Sequence, residues 1–217
     1  MCRDPTMPSL TQLECHLPLL LIDAASSQVQ VGHWEATGRD RWATSADEAG
    51  VAVFECIRKL GVDLETIAAF AFCDGPGSVL GVRTSAMALR TWGVLKQRPM
   101  FAYCSLALVA HALARPELAV IADARRDAWH HFQIGRGLRR VPTAEITGGE
   151  FVMPENFRHW TPLPPQVTRV PYSVAELLPR ATEADLFLAT DAPDAFLHEE
   201  PNYVTWTPRI HRAPAER

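Results

Sequence analysis

One pattern occurs twice, about a hundred residues apart, and it restricts the fold more than any other feature of the chain. Leu19-Leu20-Leu21-Ile22 is an apolar run that ends in Asp23. It passes through the small residues Ala24 to Ser27 and continues as the alternating segment Gln28-Val29-Gln30-Val31. Leu118-Ala119-Val120-Ile121-Ala122 repeats this: it ends in Asp123 and is followed by a second alternating segment, Ala128 to Ile134. A short apolar run bounded by turn residues reads as a buried strand, and alternation as a strand covered on one face. Each copy therefore predicts a hairpin with a buried first strand. Two copies argue for two related halves divided near Pro116.

Helical spacing fills the intervals. Ser45 and Glu48 have capping-box form, and Ala49, Val53, Ile57 and Leu60 recur on one helical face before Gly61, which predicts a helix over Ala46–Leu60. Ala69 to Cys73 reads as a buried strand that breaks into Asp74-Gly75-Pro76-Gly77-Ser78, and Val82 to Leu95 as the next helix. Met100 to Tyr103 is a further strand, and Ser105 to Ala114 a further helix. Eleven of the 17 prolines follow Val141, so long helices are scarce there. Short strands are predicted at Phe151–Met153, Val167–Val170 and Leu186–Ala189, with a helix over Ala175–Ala181. Strands alternating with helices define an α/β fold. The expected organisation is a flexible tail (1–17), an N-terminal α/β subdomain (18–115) and a C-terminal α/β subdomain (116–217).

Composition matters for what it excludes. With 47% hydrophobic and 21% charged residues, the chain is neither disordered nor fibrous. A net charge of −4 advertises no strongly basic surface. The apolar run Leu17 to Ile22 is broken by Pro18 and is too short to span a bilayer, and no signal-peptide pattern precedes it. A cytoplasmic protein with no membrane partner is expected. The five cysteines are odd in number and form no C-x-x-C pair, which argues against a zinc ribbon or disulfide framework. The eight histidines contain neither H-E-x-x-H nor H-x-x-x-H, and the adjacent His130 and His131 would face opposite sides of a strand. No metal site is expected. Ser78 lacks G-x-S-x-G context, so no hydrolase triad is visible.

Four features could carry chemistry or contacts. The loop from Asp74 to Arg83 joins a strand to a helix through Gly75, Gly77 and Gly81; it either meets a phosphate or partner, or is a tight turn whose glycines permit packing. Asp23 and Asp123 end buried strands; each either holds hydrated Mg²⁺ beside a phosphate or accepts hydrogen bonds from nearby loop N–H groups. Arg125, Arg126 and the arginines of Arg136 to Arg140 form either a solvated turn or a basic edge for RNA. The two long helices carry more apolar residues than one buried face needs: Val82, Ala86 and Leu89 share a face while Met87, Trp92 and Val94 point elsewhere. The surplus serves a partner helix or neighbours in the same chain.

These residues are similar to those of the TsaB (YeaZ) family. The resemblance rests on Leu19 to Ser26, on Asp74 to Arg83 (with Gly75, Pro76, Gly77, Ser78, Gly81 and Arg83 as the family loop), on Ile121 to Arg125 and on Glu200 to Val204. It implies an actin/Hsp70-like (ASKHA, RNase H-like) fold of two related subdomains, with Asp23 and Asp123 as vestiges of a phosphate site. It also implies a non-catalytic role in threonylcarbamoyl-adenosine (t6A) modification at position 37 of tRNA. The implied partners are a TsaD-type transferase subunit and a TsaE-type ATPase, with a homodimer through the same surface as a further possibility. tRNA would be met only through the complex. No cofactor is expected on this chain alone, and ATP or ADP would sit at the partner complex. The resemblance places the partner contact on the two long helices, carried by Val53, Ile57, Val82, Ala86, Leu89 and Arg90. TsaD-type relatives carry an H-x-x-x-H metal pair that this chain lacks, against an older M22 glycoprotease label. The rival reading is a stand-alone kinase- or phosphatase-like enzyme of the same fold, with Asp23 and Asp123 holding Mg-nucleotide.

Overall fold

The computed structural model describes residues 7–146 and 148–195. His198, His211, the Glu200–Val204 segment and the C-terminal tail lie outside the described residues.

The described chain opens with a short helix, α1 (Leu10–Leu13), capped reciprocally by Ser9 and Gln12. The segment expected as a loose tail is packed from Pro8 onward. Leu13 is buried in the core, Thr11 N–H donates to the Thr182 carbonyl, and the Pro8 carbonyl accepts from Phe187 N–H.

The first copied pattern forms β1 (Leu19–Asp23) and β2 (Val29–Ala36), extended by β3 (Arg39–Ser45). Helix α2 (Ala49–Leu60) follows, then β4 (Ala69–Gly75), α3 (Val79–Leu95), β5 (Met100–Cys104) and α4 (Ser105–Leu113). The second copy forms β6 (Ala119–Asp123), β7 (Ala128–Gln133) and β8 (Gly137–Pro142), followed by β9 (Phe151–Pro154), β10 (Val167–Val170), α5 (Val174–Leu177) and β11 (Phe187–Ala189).

The two copies have one topology. In the first sheet β1 pairs antiparallel with β2 and β2 with β3, while β4 and β5 add in parallel on the other side. In the second sheet β6 takes the place of β1, with β7 and β8 antiparallel on one side and β9 and β10 parallel on the other. The strand β11 crosses back from the C-terminal half and adds antiparallel to β5 at the edge of the first sheet.

Side-chain alternation divides the first sheet between two cores. Leu20, Ile22, Phe70 and Phe72 pack under α2 and α3. Leu19, Leu21, Ala71 and Cys73 face the other way, into a core shared with α4 and the second sheet.

Two local expectations change. The capping box at Ser45 does not form, because Ser45 is still the last residue of β3. Its hydroxyl donates to Asp47 Oδ2 at 2.8 Å, and α2 begins at Ala49 without a side-chain cap. Helix α3 starts at Val79, earlier than Val82, because Ser78 caps it by accepting from Gly81 N–H at 3.3 Å.

Candidate functional site: the cleft between the sheets

The loops that leave the C-terminal ends of β1, β4 and β6 converge on one cleft of about 530 Å³. Its wall is made by Ala24–Ser27, by Asp74–Val82 at the start of α3, by Asp123–Arg125 and by Asn156, Arg158 and Trp160. Ligands of open α/β sheets gather at such strand ends.

Asp23 is completely buried beneath this cleft. Its Oδ2 accepts the hydroxyl protons of Tyr103 at 2.5 Å and Tyr172 at 2.7 Å, and its Oδ1 accepts Ala25 N–H at 3.0 Å. Burial raises its pKa, against the lowering by those donors. Asp123 is satisfied differently: Oδ1 accepts Arg125 N–H at 2.5 Å, and Oδ2 accepts Trp160 N–H at 2.6 Å and Thr161 N–H at 2.7 Å. Burial would raise this carboxyl, but the N–H groups of Thr161, Trp160 and Arg125 outweigh it and hold the group below its ordinary value. Both carboxylates thus face protein donors, the second of the two roles open to strand-end acids.

The glycine loop is spent on packing. A Cβ at Gly77 would run into the Ala25 carbonyl oxygen, and one at Gly81 into that of Ala24. Ser78 N–H donates to the same Ala25 carbonyl at 2.6 Å, and Ser105 donates its hydroxyl proton to the Pro76 carbonyl at 2.6 Å. Glycine at 77 and 81 therefore lets the start of α3 rest against the backbone after β1. Gly75 has a positive φ of 116°, and Arg83 lies exposed on the first turns of α3.

Asp74 was not singled out by the sequence reasoning. It lines the cleft, and burial pushes its carboxyl from 3.8 up to about 7. The available signal was its place directly after the buried run Ala69–Cys73.

The partner surface expected on the helices is corrected. Val53, Ile57, Val82, Ala86 and Leu89 are all buried within this chain, because α2 covers β2 and β3 while α3 covers β4 and β1. Of the six expected residues only Arg90 is exposed, in an ion pair with Asp194 at 3.3 Å. The large apolar residues that these helices leave exposed are others: Val51 and Phe54 on α2, at 55% and 53%, and Leu80, Met87 and Val94 on α3, at 77%, 56% and 88%, with Val79 and Leu95 at the ends of α3. Of the second-face residues, Met87 and Val94 do point outward, while Trp92 turns inward against Phe70. Leu80, Met87 and Val94 recur every seven residues, which is the signal that marks this stripe.

The arginine cluster is divided by the pleat of β7 and β8. Arg140 lies opposite His130 and donates from Nη2 to the Arg125 carbonyl at 3.1 Å, while Arg139 lies opposite His131 on the other face. Burial, with Arg139 and Arg136 nearby, lowers the His131 pKa. The Arg125 guanidinium stacks over the Trp160 ring, 4.2 Å from its centroid.

Among the described residues no three His, Cys, Asp or Glu side chains converge in a set that could hold a metal ion. Among the described residues no helix is long and apolar enough to cross a membrane.

Two sheets of one topology facing a shared cleft define a protein of the actin/Hsp70-like (ASKHA) fold. The family model for TsaD, tRNA N6-adenosine threonylcarbamoyltransferase, matches residues 44–157, more than half of the chain. The chain belongs to this family. The solved structure of YeaZ from Pseudomonas aeruginosa aligns with a TM-score of 0.57 at 20% identity, covering 82% of this chain and 99% of that one. A second solved structure, of an uncharacterized protein with similarity to peptidase YEAZ from the same organism, aligns with a TM-score of 0.55 at 21% identity, covering 75% and 89%. The likeness to YeaZ read from Asp74–Arg83 is thus matched by the fold. No curated protein sequence matches the chain.

Proposed function

We propose that this chain is a non-catalytic subunit of t6A tRNA modification, pairing with a TsaD-type threonylcarbamoyl transferase through the outward face of α2 and α3. The observation that carries this reading is the stripe of Val51, Phe54, Leu80, Met87 and Val94, exposed on two adjacent helices while the inward faces are fully used. Monomeric proteins rarely leave so many large apolar side chains grouped in solvent. Family membership supplies the pathway, and the lack of an H-x-x-x-H pair among the eight histidines of the sequence supports a supporting subunit rather than the transferase itself. A TsaE-type ATPase joins the complex, ATP or ADP belongs to the complex, and a second copy of this chain competes for the same stripe.

A stand-alone nucleotide enzyme is favoured by one observation, the perturbed Asp74 in the cleft. The donors that occupy Asp23 and Asp123 speak against Mg-nucleotide held by those acids.

Light-scattering chromatography of the chain, alone and mixed with the TsaD-type protein of the same organism, tests the proposal. A one-to-one complex is expected. No complex, even with nucleotide and the TsaE-type protein present, together with tight Mg-ATP binding by the chain alone, would establish the rival.

A further inference from the structure

The loop after β6 and the segment after β9 meet at a place that the packing of the fold does not explain. Arg125 and Trp160 are 35 residues apart in sequence, yet one carboxylate fixes both: Asp123 accepts the N–H of Arg125 on one oxygen and those of Trp160 and Thr161 on the other. Above this anchor the Arg125 guanidinium stacks on the indole, which still leaves Trp160 62% exposed. Arg125, Arg126 and Asp127 take successive left-handed conformations, with φ of 59°, 51° and 52°. They are held there by Ala128 N–H donating to the Arg125 carbonyl and Thr143 N–H to the Asp127 carbonyl. The pair borders a hollow of about 250 Å³ lined by Arg125, Arg126, Asp127, Trp160 and Thr161. Arg158 lines the adjoining cleft, and Arg140 reaches the Arg125 carbonyl from β8. Among the described residues Arg125, Arg126 and Arg158 form no ion pair with a carboxylate.

We infer that Trp160 and Arg125 form a stacking platform for an unpaired base of an RNA, with Arg126 and Arg158 meeting the flanking phosphates. The inference rests on the reading of this chain as a subunit of tRNA modification and adds a direct RNA contact to it. The chemistry selects RNA over an acidic polypeptide. Carboxylates would need only the arginines, whereas an exposed indole held rigid beside them offers a π face, which every nucleobase can use. The overall charge of −4 does not oppose this, because the arginines are gathered on one rim.

The test uses the full chain and a fluorescent RNA hairpin with an unpaired, adenine-containing loop. A blunt RNA duplex and polyglutamate serve as controls. The hairpin binds more tightly than either control. Trp160→Ala and Arg125→Ala each weaken it between about 5- and 100-fold, and Trp160→Phe keeps most of the affinity. Arg126→Gln and Arg158→Gln weaken hairpin and duplex alike and each lower the salt dependence by about one counterion. Equal binding of duplex and hairpin, preferential binding of polyglutamate, unchanged affinity in Trp160→Ala, or no RNA binding at low salt each overturns the inference. Pairing with the TsaD-type protein is measured on the same variants. If Trp160→Ala still pairs while RNA binding is absent or unaltered, the platform fails and the subunit reading stands. If wild type does not pair, the subunit reading fails irrespective of RNA.

Discussion

Tyr172, in the segment after β10, donates its hydroxyl proton to Asp23 at the end of β1 across 2.7 Å, so a residue of the C-terminal half closes over the central strand of the first sheet. Tyr103 closes the same oxygen from β5 at 2.5 Å. The position that could face a phosphate is thereby a buried tie between the two halves. Removing one donor leaves a buried carboxylate short of a partner. Tyr172→Phe should therefore lower stability by about 1.5–3 kcal/mol. Urea denaturation measures it, and a change below about 0.5 kcal/mol would show that the tie is not a stabilising contact.

The stripe and the core of α2 and α3 make opposite predictions. Met87→Asp and Val94→Asp add a charge where side chains already meet water, so the melting temperature stays within the scatter of surface substitutions while pairing with the TsaD-type protein is lost. Ala86→Asp and Ile57→Asp place a charge in the core between α2, α3 and the sheet and should unfold the chain. Circular dichroism and light scattering on the four variants decide it; stable Ala86→Asp protein would contradict the burial described.

Asp74 predicts a pH dependence. Its folded pKa is raised from 3.8 to about 7, so the carboxyl binds a proton more readily in the folded state. Its contribution to stability is complete below about pH 4 and is lost as pH rises through about 7. Asp74→Asn should flatten the stability profile over that window and stabilise the chain above it, by at most roughly 4 kcal/mol. Denaturation midpoints from acid to mildly alkaline pH are the readout, and parallel profiles for the two proteins would refute the assignment.

Two glycine positions should respond in opposite directions. Gly81→Ala drives a methyl group into the Ala24 carbonyl and should destabilise by about 1–3 kcal/mol. Gly50→Ala meets nothing within α2 and should stabilise by about 0.5 kcal/mol through helix propensity. Thermal melts of the pair check both signs.

Asp123→Asn should weaken the link between the loop after β6 and the segment after β9. The neutral amide accepts less strongly than the carboxylate at three N–H groups. The loss is about 1–3 kcal/mol near neutral pH. Because the Asp123 pKa is depressed, wild type holds this contribution above the ordinary carboxylate range and loses it as pH falls through the folded pKa. The difference between the two proteins therefore narrows in acid, which chemical denaturation follows directly.

What the sequence by itself determined is local. The apolar runs at Leu19–Ile22 and Leu118–Ala122, each with an alternating neighbour, specify buried strands and their hairpins because burial and pleat are written in residue type at a spacing of two. The loop Asp74–Ser78 is legible for the same reason, since glycine and proline restrict backbone angles wherever they stand. Only the tertiary structure decided which side of α2 and α3 stays in solvent. Both helices are apolar on more than one face, and the inward face depends on a sheet assembled from strands between Leu19 and Cys104 together with β11 from the C-terminal half. It also decided what the strand-end acids do. Tyr103 and Tyr172 stand 80 and 149 residues from Asp23, and Trp160 stands 37 from Asp123. A carboxylate responds to whichever donors the fold brings within hydrogen-bond reach, and no local pattern carries that information.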